Sequence, residues 1–335
     1  MINYEAQDVK RKVMSILRVL SDSQEPLGGR IIGRRLKEYN INLTERTVRY
    51  HLKLMDERGF TQGPGRRGRL GGRLITESGL NELKSALVSD KIGFIIDKIE
   101  SLSHRTSFDW EKRRGQVPVN TAIFPERKFK EAVDAMEEAF KAKLCVSGLV
   151  DVAKEGEKLG EIVIPKGKVG FATICSVMIY GAFVKAGIPM DSRFGGILQI
   201  RGHKPSRFTE LIDYAGSSLE PSEVFIAKGM TSIGEVAREG KGEILASFQE
   251  IPALYRPAAE TILEKLRNAG IGGLIKMGDK SEPVCEIPVG LNKVGLILQS
   301  GLNPVAAAAE AGIEVINHAM SGLVEYESLK SFWDL

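Results

Sequence analysis

Apolar residues recur at helical spacing from Val9 to Leu20, with Val13, Ile16, Leu17 and Leu20 on one face. Pro26 and Gly28-Gly29 break that helix, and Ile31, Ile32, Leu36 and Tyr39 outline a short second one. Thr44 precedes a third helix, from about Glu45 to Arg58, that ends at Gly59. The Thr44 hydroxyl can accept a bond from one of the free amides that open a helix. The third helix sorts into two faces. Val48, Leu52 and Met55 point to a core, and His51 beside them reads as structural. Arg46, Arg49, Tyr50 and Lys53 share another face. A glycine- and arginine-rich segment follows, Gly63-Pro-Gly-Arg-Arg-Gly-Arg-Leu-Gly-Gly-Arg73, and then Leu74-Ile75. Two short strands around such a tip make a wing. Thr76 then caps a fourth helix through Leu80, Leu83 and Leu87. Residues 91–114 form a connector with one helix carrying Ile92, Ile95, Ile96 and Ile99.

Beyond the connector the pattern repeats. Lys168-Val-Gly-Phe matches Lys293-Val-Gly-Leu, and Ala186-Gly-Ile188 matches Ala311-Gly-Ile313, without a gap between the pairs. Upstream, Gly115 and Pro125 match Gly242 and Pro252, each pair followed by an amphipathic helix. Each unit reads strand, helix, strand, strand, helix, strand, a split βαβ arrangement. The predicted fold class is therefore α/β (α+β): a winged helix-turn-helix over 1–90, a connector over 91–114, and a duplicated regulatory domain over 115–335 with lobes about 115–200 and 242–326. The segment 201–241 belongs to neither repeat; Val224–Ala227 reads there as a strand before Gly229-Met-Thr-Ser232.

Charge sharpens this division. The chain of 335 residues has a net charge of +4, from 47 Lys plus Arg against 43 Asp plus Glu. Residues 1–89 hold 17 Lys and Arg against 10 Asp and Glu, a net of +7, which leaves −3 for the rest. A basic module with an anionic partner is implied. Arginine can bond guanine edges bidentately, and lysine can neutralise phosphate. The DNA contacts expected are Arg46, Thr47, Arg49, Tyr50 and Lys53 on the third helix and Arg66, Arg67, Arg69 and Arg73 in the wing. Residues 63–68 also match G-x-G-x-x-G, but they follow a helix, contain Pro64 and open no apolar helix, so no nucleotide fingerprint is implied.

Other chemistry is sparse. Cys145, Cys175 and Cys285 and the four histidines are scattered, which predicts no disulfide framework and no zinc site. The apolar stretch Val169 to Val184 falls short of the roughly 20 residues that span a bilayer and reads as a buried strand and helix. The N-terminus is unlike a signal peptide. A soluble, cytoplasmic protein is expected, with no membrane partner and no cofactor. No acid pair or Ser-His-Asp grouping points to an enzyme. Strand-to-helix turns offer a binding site instead, because hydroxyls and free amides there can hold an anion. The expected ligand residues are Cys175, Ser176, Gly229, Thr231, Ser232, Ser300, Gly301 and Asn303, with Arg193 or His203 as the cation. Each of these serines and threonines could equally be a plain helix cap, and Cys175 a small buried filler.

Arg46-Thr-Val-Arg-Tyr-His-Leu52, Gly72-Arg-Leu-Ile-Thr-Glu77, Thr106-Ser-Phe-Asp109 and Gly229-Met-Thr-Ser232 resemble the archaeal nitrogen regulatory repressor family, NrpR. The resemblance covers nearly the whole chain. It implies a homodimer that represses nitrogen-assimilation genes on palindromic double-stranded operators and is released by 2-oxoglutarate. Family members also occur with two regulatory domains in tandem, so a second regulatory-domain protein is a further implied partner. Two other functions stay open on the residues alone: an enzyme acting on a small organic acid with a nucleic-acid tether, and an RNA-binding regulator.

Overall fold

The computed structural model describes residues 4–23, 25–37, 41–63, 72–85 and 93–335. They fall into two compact units, Met1–Ser101 and Leu102–Leu335.

The first unit contains α1 (Tyr4–Ser21), α2 (Gly29–Leu36), α3 (Glu45–Glu57), β1 (Thr61–Gln62), β2 (Leu74–Ile75) and α4 (Glu77–Ser85). This is the winged helix that the apolar spacing predicts. Ile16, Leu17, Leu20, Ile32, Leu36 and Val48 are buried together in its core. Thr44 caps α3, its hydroxyl accepting the Thr47 amide at 3.2 Å. Thr76 caps α4 in the same way, through the Gly79 amide at 3.1 Å. The strands β1 and β2 pair antiparallel, Thr61 opposite Ile75. Leu27 and Arg73 exchange two backbone bonds of 2.9 Å, which ties the loop before α2 to the wing. Helix α5 (Phe94–Arg105) crosses the division between the units. Tyr39, Leu87, Ile92 and the wing tip, 64–71, lie outside the described residues.

The first repeat of the second unit runs β3 (Gln116–Pro125), α6 (Phe129–Lys141), β4 (Leu149–Ala153), the short pair β5 (Lys158–Leu159) and β6 (Ile162–Val163), β7 (Lys168–Ile174), α7 (Val177–Lys185) and β8 (Asp191–Arg201). Between the repeats lie β9 (Lys204–Asp213), α8 (Pro221–Ala227) and α9 (Ile233–Glu239). The second repeat is β10 (Gly242–Pro252), α10 (Arg256–Asn268), β11 (Leu274–Met277), β12 (Lys293–Gln299), α11 (Asn303–Glu310) and β13 (Ile316–Glu325), and β14 (Lys330–Ser331) follows. Both repeats thus show the expected strand, helix, strand, strand, helix, strand order. The apolar stretch from Val169 to Val184 is β7 and most of α7, and among the described residues no helix is long and apolar enough to cross a membrane.

Two antiparallel five-stranded sheets result, β13-β3-β7-β4-β14 and β11-β12-β10-β8-β9. The repeats have exchanged their last strands. Strand β8 closes the first repeat in sequence but pairs with β10, and β13 closes the second but pairs with β3. The expected lobes, about 115–200 and 242–326, are therefore not the spatial halves. Neither sheet is complete without both repeats. Periodicity reports which face of a strand is buried, not which neighbour it takes, so the exchange leaves no mark on the pattern. One core cluster accordingly draws Ala122, Phe124 and Phe171 from one sheet and Ile197, Ile244 and Phe248 from the other.

A second correction concerns Val224–Ala227, which is helix α8 and not a strand. Pro221 sits at the first helical position, where its fixed φ fits and its missing N–H costs nothing. The Glu220 carboxylate accepts the Glu223 amide at 3.0 Å and caps the helix. A short apolar run such as Val-Phe-Ile-Ala reads alike for strand and buried helix.

Candidate nucleic-acid interface and ligand site

In the first unit, α3 presents its two faces as its sequence requires. Val48, His51, Leu52 and Met55 are buried. Arg46, Arg49, Tyr50 and Lys53, spaced i, i+3, i+4 and i+7, are exposed, Tyr50 at 61%. Arg49 pairs with Glu45 one turn earlier at 2.6 Å. Thr47 is half-buried and its hydroxyl meets that of Thr44 at 2.8 Å, so it serves the cap. A groove of about 860 Å³ runs beside this face, lined by Gly28, Gly29 and Arg30 from the start of α2, by Arg49 and Lys53, and by Arg73. Arg30 is exposed there and was not among the expected contacts. Its signal was available: a cation in the first turn of a helix that opens on two glycines, beside an arginine-bearing helix. The tip arginines Arg66, Arg67 and Arg69 lie outside the described residues.

Arg73 departs from expectation. Its Nε donates to Asp56 at 2.7 Å, and the same carboxylate accepts the Thr61 hydroxyl at 2.6 Å. The last turn of α3 thereby grips both strands of the wing. Arg73 lines the groove, but its guanidinium is anchored to the protein. Replacing Asp56 by Ala strips the buried Thr61 hydroxyl and Arg73 of their acceptor together. The expected cost is about 1–3 kcal/mol, read as a lower urea midpoint of the first unit. An unchanged midpoint contradicts the anchoring role.

In the second unit, the ends of β7 and β12 meet. A Cβ added at Gly301 would strike the Ile174 carbonyl oxygen and the Asn120 side-chain amide, so only glycine lets the two strand ends approach. Asn120 is buried; its Oδ1 accepts the Met320 amide at 3.0 Å and its Nδ2 donates to Thr173 at 3.4 Å. Cys175 is buried, its amide donating to the Pro118 carbonyl at 2.8 Å. Tyr214 is buried; burial first, then the nearby Glu220 and Cys175, push its phenol far up, against the opposing hydrogen bond with Ser247. Ser176 is half-buried at the start of α7, with no side-chain capping bond.

The remaining candidates hold the fold. Asn303 is buried, and both ends of its amide bond the Leu245 backbone, at 2.9 and 3.2 Å. The Ser300 hydroxyl accepts the Leu302 amide at 3.1 Å. Ser232 accepts the Glu243 amide at 2.8 Å. Thr231 donates to Glu310 at 2.7 Å, and that carboxylate also takes the Ile233 and Gly234 amides at 2.7 and 3.1 Å. The start of α9 therefore already holds an anion, supplied by α11. Gly229, at φ +62°, ends α8. Thr231 and Ser232 line a depression of about 550 Å³ against α6 and α11 that contains none of the strand-end residues. Of the two expected cations, Arg193 is paired with Glu250 at 3.4 Å and Asp191 at 3.6 Å. His203 packs over Gly240 at the β8–β9 turn. What the structure gathers is Cys175 and Ser176 at the end of β7 against Gly301, with Asn120 beside Gly301 and with Tyr214, hydrogen-bonded to Ser247, near Cys175. Asn120, Tyr214 and Ser247 went unnoticed, although Asn120 is a lone amide inside the apolar run of β3. Burial pushes the Cys145 thiol up to about 12 and raises that of Cys285 too, so neither is an activated nucleophile.

A family model for NrpR regulatory domains NRD1 and 2 matches residues 92–331, and one for the Ribonuclease R winged-helix domain matches 14–83. The chain belongs to the NrpR family. It is 36% identical over 322 residues to the global nitrogen regulator NrpRI of Methanosarcina mazei, covering 96% of this chain and 98% of the relative. It is 32% identical over 323 residues to the global nitrogen regulator NrpR of Methanocaldococcus jannaschii and 29% over 317 to that of Methanococcus maripaludis. The match spans 55% and 54% of those longer NrpR chains. The crystal structure of a nitrogen repressor-like protein from Methanococcus jannaschii superposes with a TM-score of 0.60 at 28% identity, covering 71% of this chain and 98% of that one.

Proposed function

We propose that the chain is a repressor of nitrogen genes that binds palindromic operator DNA as a dimer and releases it when 2-oxoglutarate occupies the second unit. The observation that carries the DNA reading is the exposed face of α3, where Arg46, Arg49, Tyr50 and Lys53 stand beside the groove that Arg30 also lines. Such a face fits a major groove, and a dimer fits two half-sites one helical turn, about 34 Å, apart. The three relatives are named as global nitrogen regulators, which supplies the regulated class of genes. The 2-oxoglutarate reading rests on the cluster at the ends of β7 and β12, where Ser176 and the Val177 amide at the start of α7 would face a carboxylate. The effector must prefer the state that cannot hold DNA, or it shifts nothing. A second regulatory-domain protein, which the family resemblance implies as a partner, is part of the proposal.

The match to a ribonuclease winged helix favours a second reading, in which the basic unit takes structured RNA. Competition decides between them. Labelled operator duplex should be displaced by unlabelled operator and not by an equal concentration of hairpin RNA. Displacement by the RNA alone overturns the DNA reading.

A further inference from the structure

The second sheet ends on β9, ten residues long and with no further strand beyond it. The equivalent edge of the first sheet is treated differently. There the outer side of β13 is closed by the Glu161 amide on the Ser321 carbonyl, at 2.9 Å, and by the Glu223 carboxylate on the Ala319 amide, at 2.7 Å. Among the described residues, the backbone of β9 makes no hydrogen bond outside its ladder with β8. An uncovered strand edge is a template for pairing.

The side chains of β9 say what would pair with it. Its sequence is Lys204-Pro-Ser-Arg-Phe-Thr-Glu-Leu-Ile-Asp213, cationic in its first half and acidic in its second. Lys204, Arg207, Glu210 and Asp213 are exposed, and none has an ion pair among the described residues. Arg207 stands opposite Gln199 and Glu210 opposite Ile197 in β8. Those two positions of β8 are two residues apart, so Arg207 and Glu210 share one face of the sheet. The irregularity around Thr209 produces this, since residues three apart in a regular strand face opposite ways. A second β9 laid antiparallel about an axis between Phe208 and Thr209 brings each arginine against a glutamate, and sets the cationic end beside the acidic end.

We propose that β9 is the seam of a homodimer, pairing antiparallel with the same strand of a second copy so that Arg207 meets the partner's Glu210 and Glu210 meets the partner's Arg207. The inference rests on the dimer reading above and adds its surface. Pro205 cannot donate to the ladder, and two irregularities interrupt the register with β8. The seam is therefore short and held largely by exposed ion pairs, so the dimer weakens with salt.

The test is sedimentation velocity of the full chain over a dilution series, at low and at about 1 M salt, where screening is nearly complete. The wild-type dimer should dissociate more readily at high salt. Arg207→Glu and Glu210→Arg should each raise the dimer Kd at least about tenfold, because each creates two like-charged contacts across the two-fold axis. The double variant R207E/E210R exchanges the charges and should return the Kd to within about threefold of wild type. That rescue also shows that the variants fold. Single reversals that leave the dimer intact overturn the seam and spare the dimer reading. Failure of the double variant to rescue overturns the pairing of these two residues. A wild-type chain that is monomeric at every concentration overturns both.

Discussion

Arg46→Ala and Arg49→Ala should each weaken operator binding by about 1–3 kcal/mol, roughly 5- to 150-fold, if each reads a base edge. The geometry makes this a clean substitution. Arg46 is exposed, and the Arg49 side chain is 72% exposed. The ion pair that Arg49 gives up, with Glu45, is an exposed pair one helical turn away, of a kind that contributes a few tenths of a kcal/mol. The core face of α3 is untouched, so the loss belongs to DNA and not to folding. Lys53→Ala should behave differently, weakening binding to all sequences alike and reducing the salt slope by about one unit. Fluorescence anisotropy of a labelled operator at fixed salt measures each effect. Full affinity in both arginine variants would move base recognition off α3, and Arg30 would be the next residue to test.

Phe171→Ala should destabilise the second unit by about 3–5 kcal/mol, the usual cost of emptying a buried phenylalanine site. Phe171 lies on β7, the central strand of its sheet, and is completely buried. Its ring meets those of Phe129, Phe140 and Phe332 at centroid distances of 6.3, 6.5 and 6.5 Å. Phe332 follows β14, so the ring cluster also holds the last strand of the chain in place. Because β8 and β13 are exchanged, the damage should spread to both sheets in one transition. Urea unfolding followed by near-ultraviolet circular dichroism tests this. A variant in which one sheet melts and the other keeps its midpoint contradicts a common core.

The sequence shows elements more readily than their neighbours. The helices of the first unit, the cap at Thr44 and the position of the wing follow from spacing, since each is set by residues within a few positions of one another. The repeat is legible for the same reason: Lys168-Val-Gly and Lys293-Val-Gly open equivalent strands. The exchange of β8 and β13 is not, because pairing is decided between distant residues. Edge strand β9 was missed because its outer face is polar and its register is interrupted. The ligand residues divide along this line. Ser300 and Asn303 sit at a strand-to-helix turn as predicted, and Thr231 and Ser232 at a turn between helices α8 and α9 instead, yet every one has its side chain engaged by the protein. Position alone does not distinguish a cap from a ligand. Tyr214 comes near Cys175 and Ser247 only through tertiary packing. In Arg73 a wing arginine became a strut because Asp56, 17 residues away in sequence, lies within hydrogen-bond reach in space.

The central claim is that 2-oxoglutarate and operator DNA compete through the conformation of one chain. Isothermal titration of 2-oxoglutarate into the full chain, alone and saturated with operator, tests it most directly, with operator affinity measured at zero and saturating 2-oxoglutarate. Linkage requires the two ligands to weaken each other by the same factor. A factor of about 5 to 150 in both directions is the predicted result. An equal 2-oxoglutarate affinity with and without operator, or no binding at all, contradicts the account.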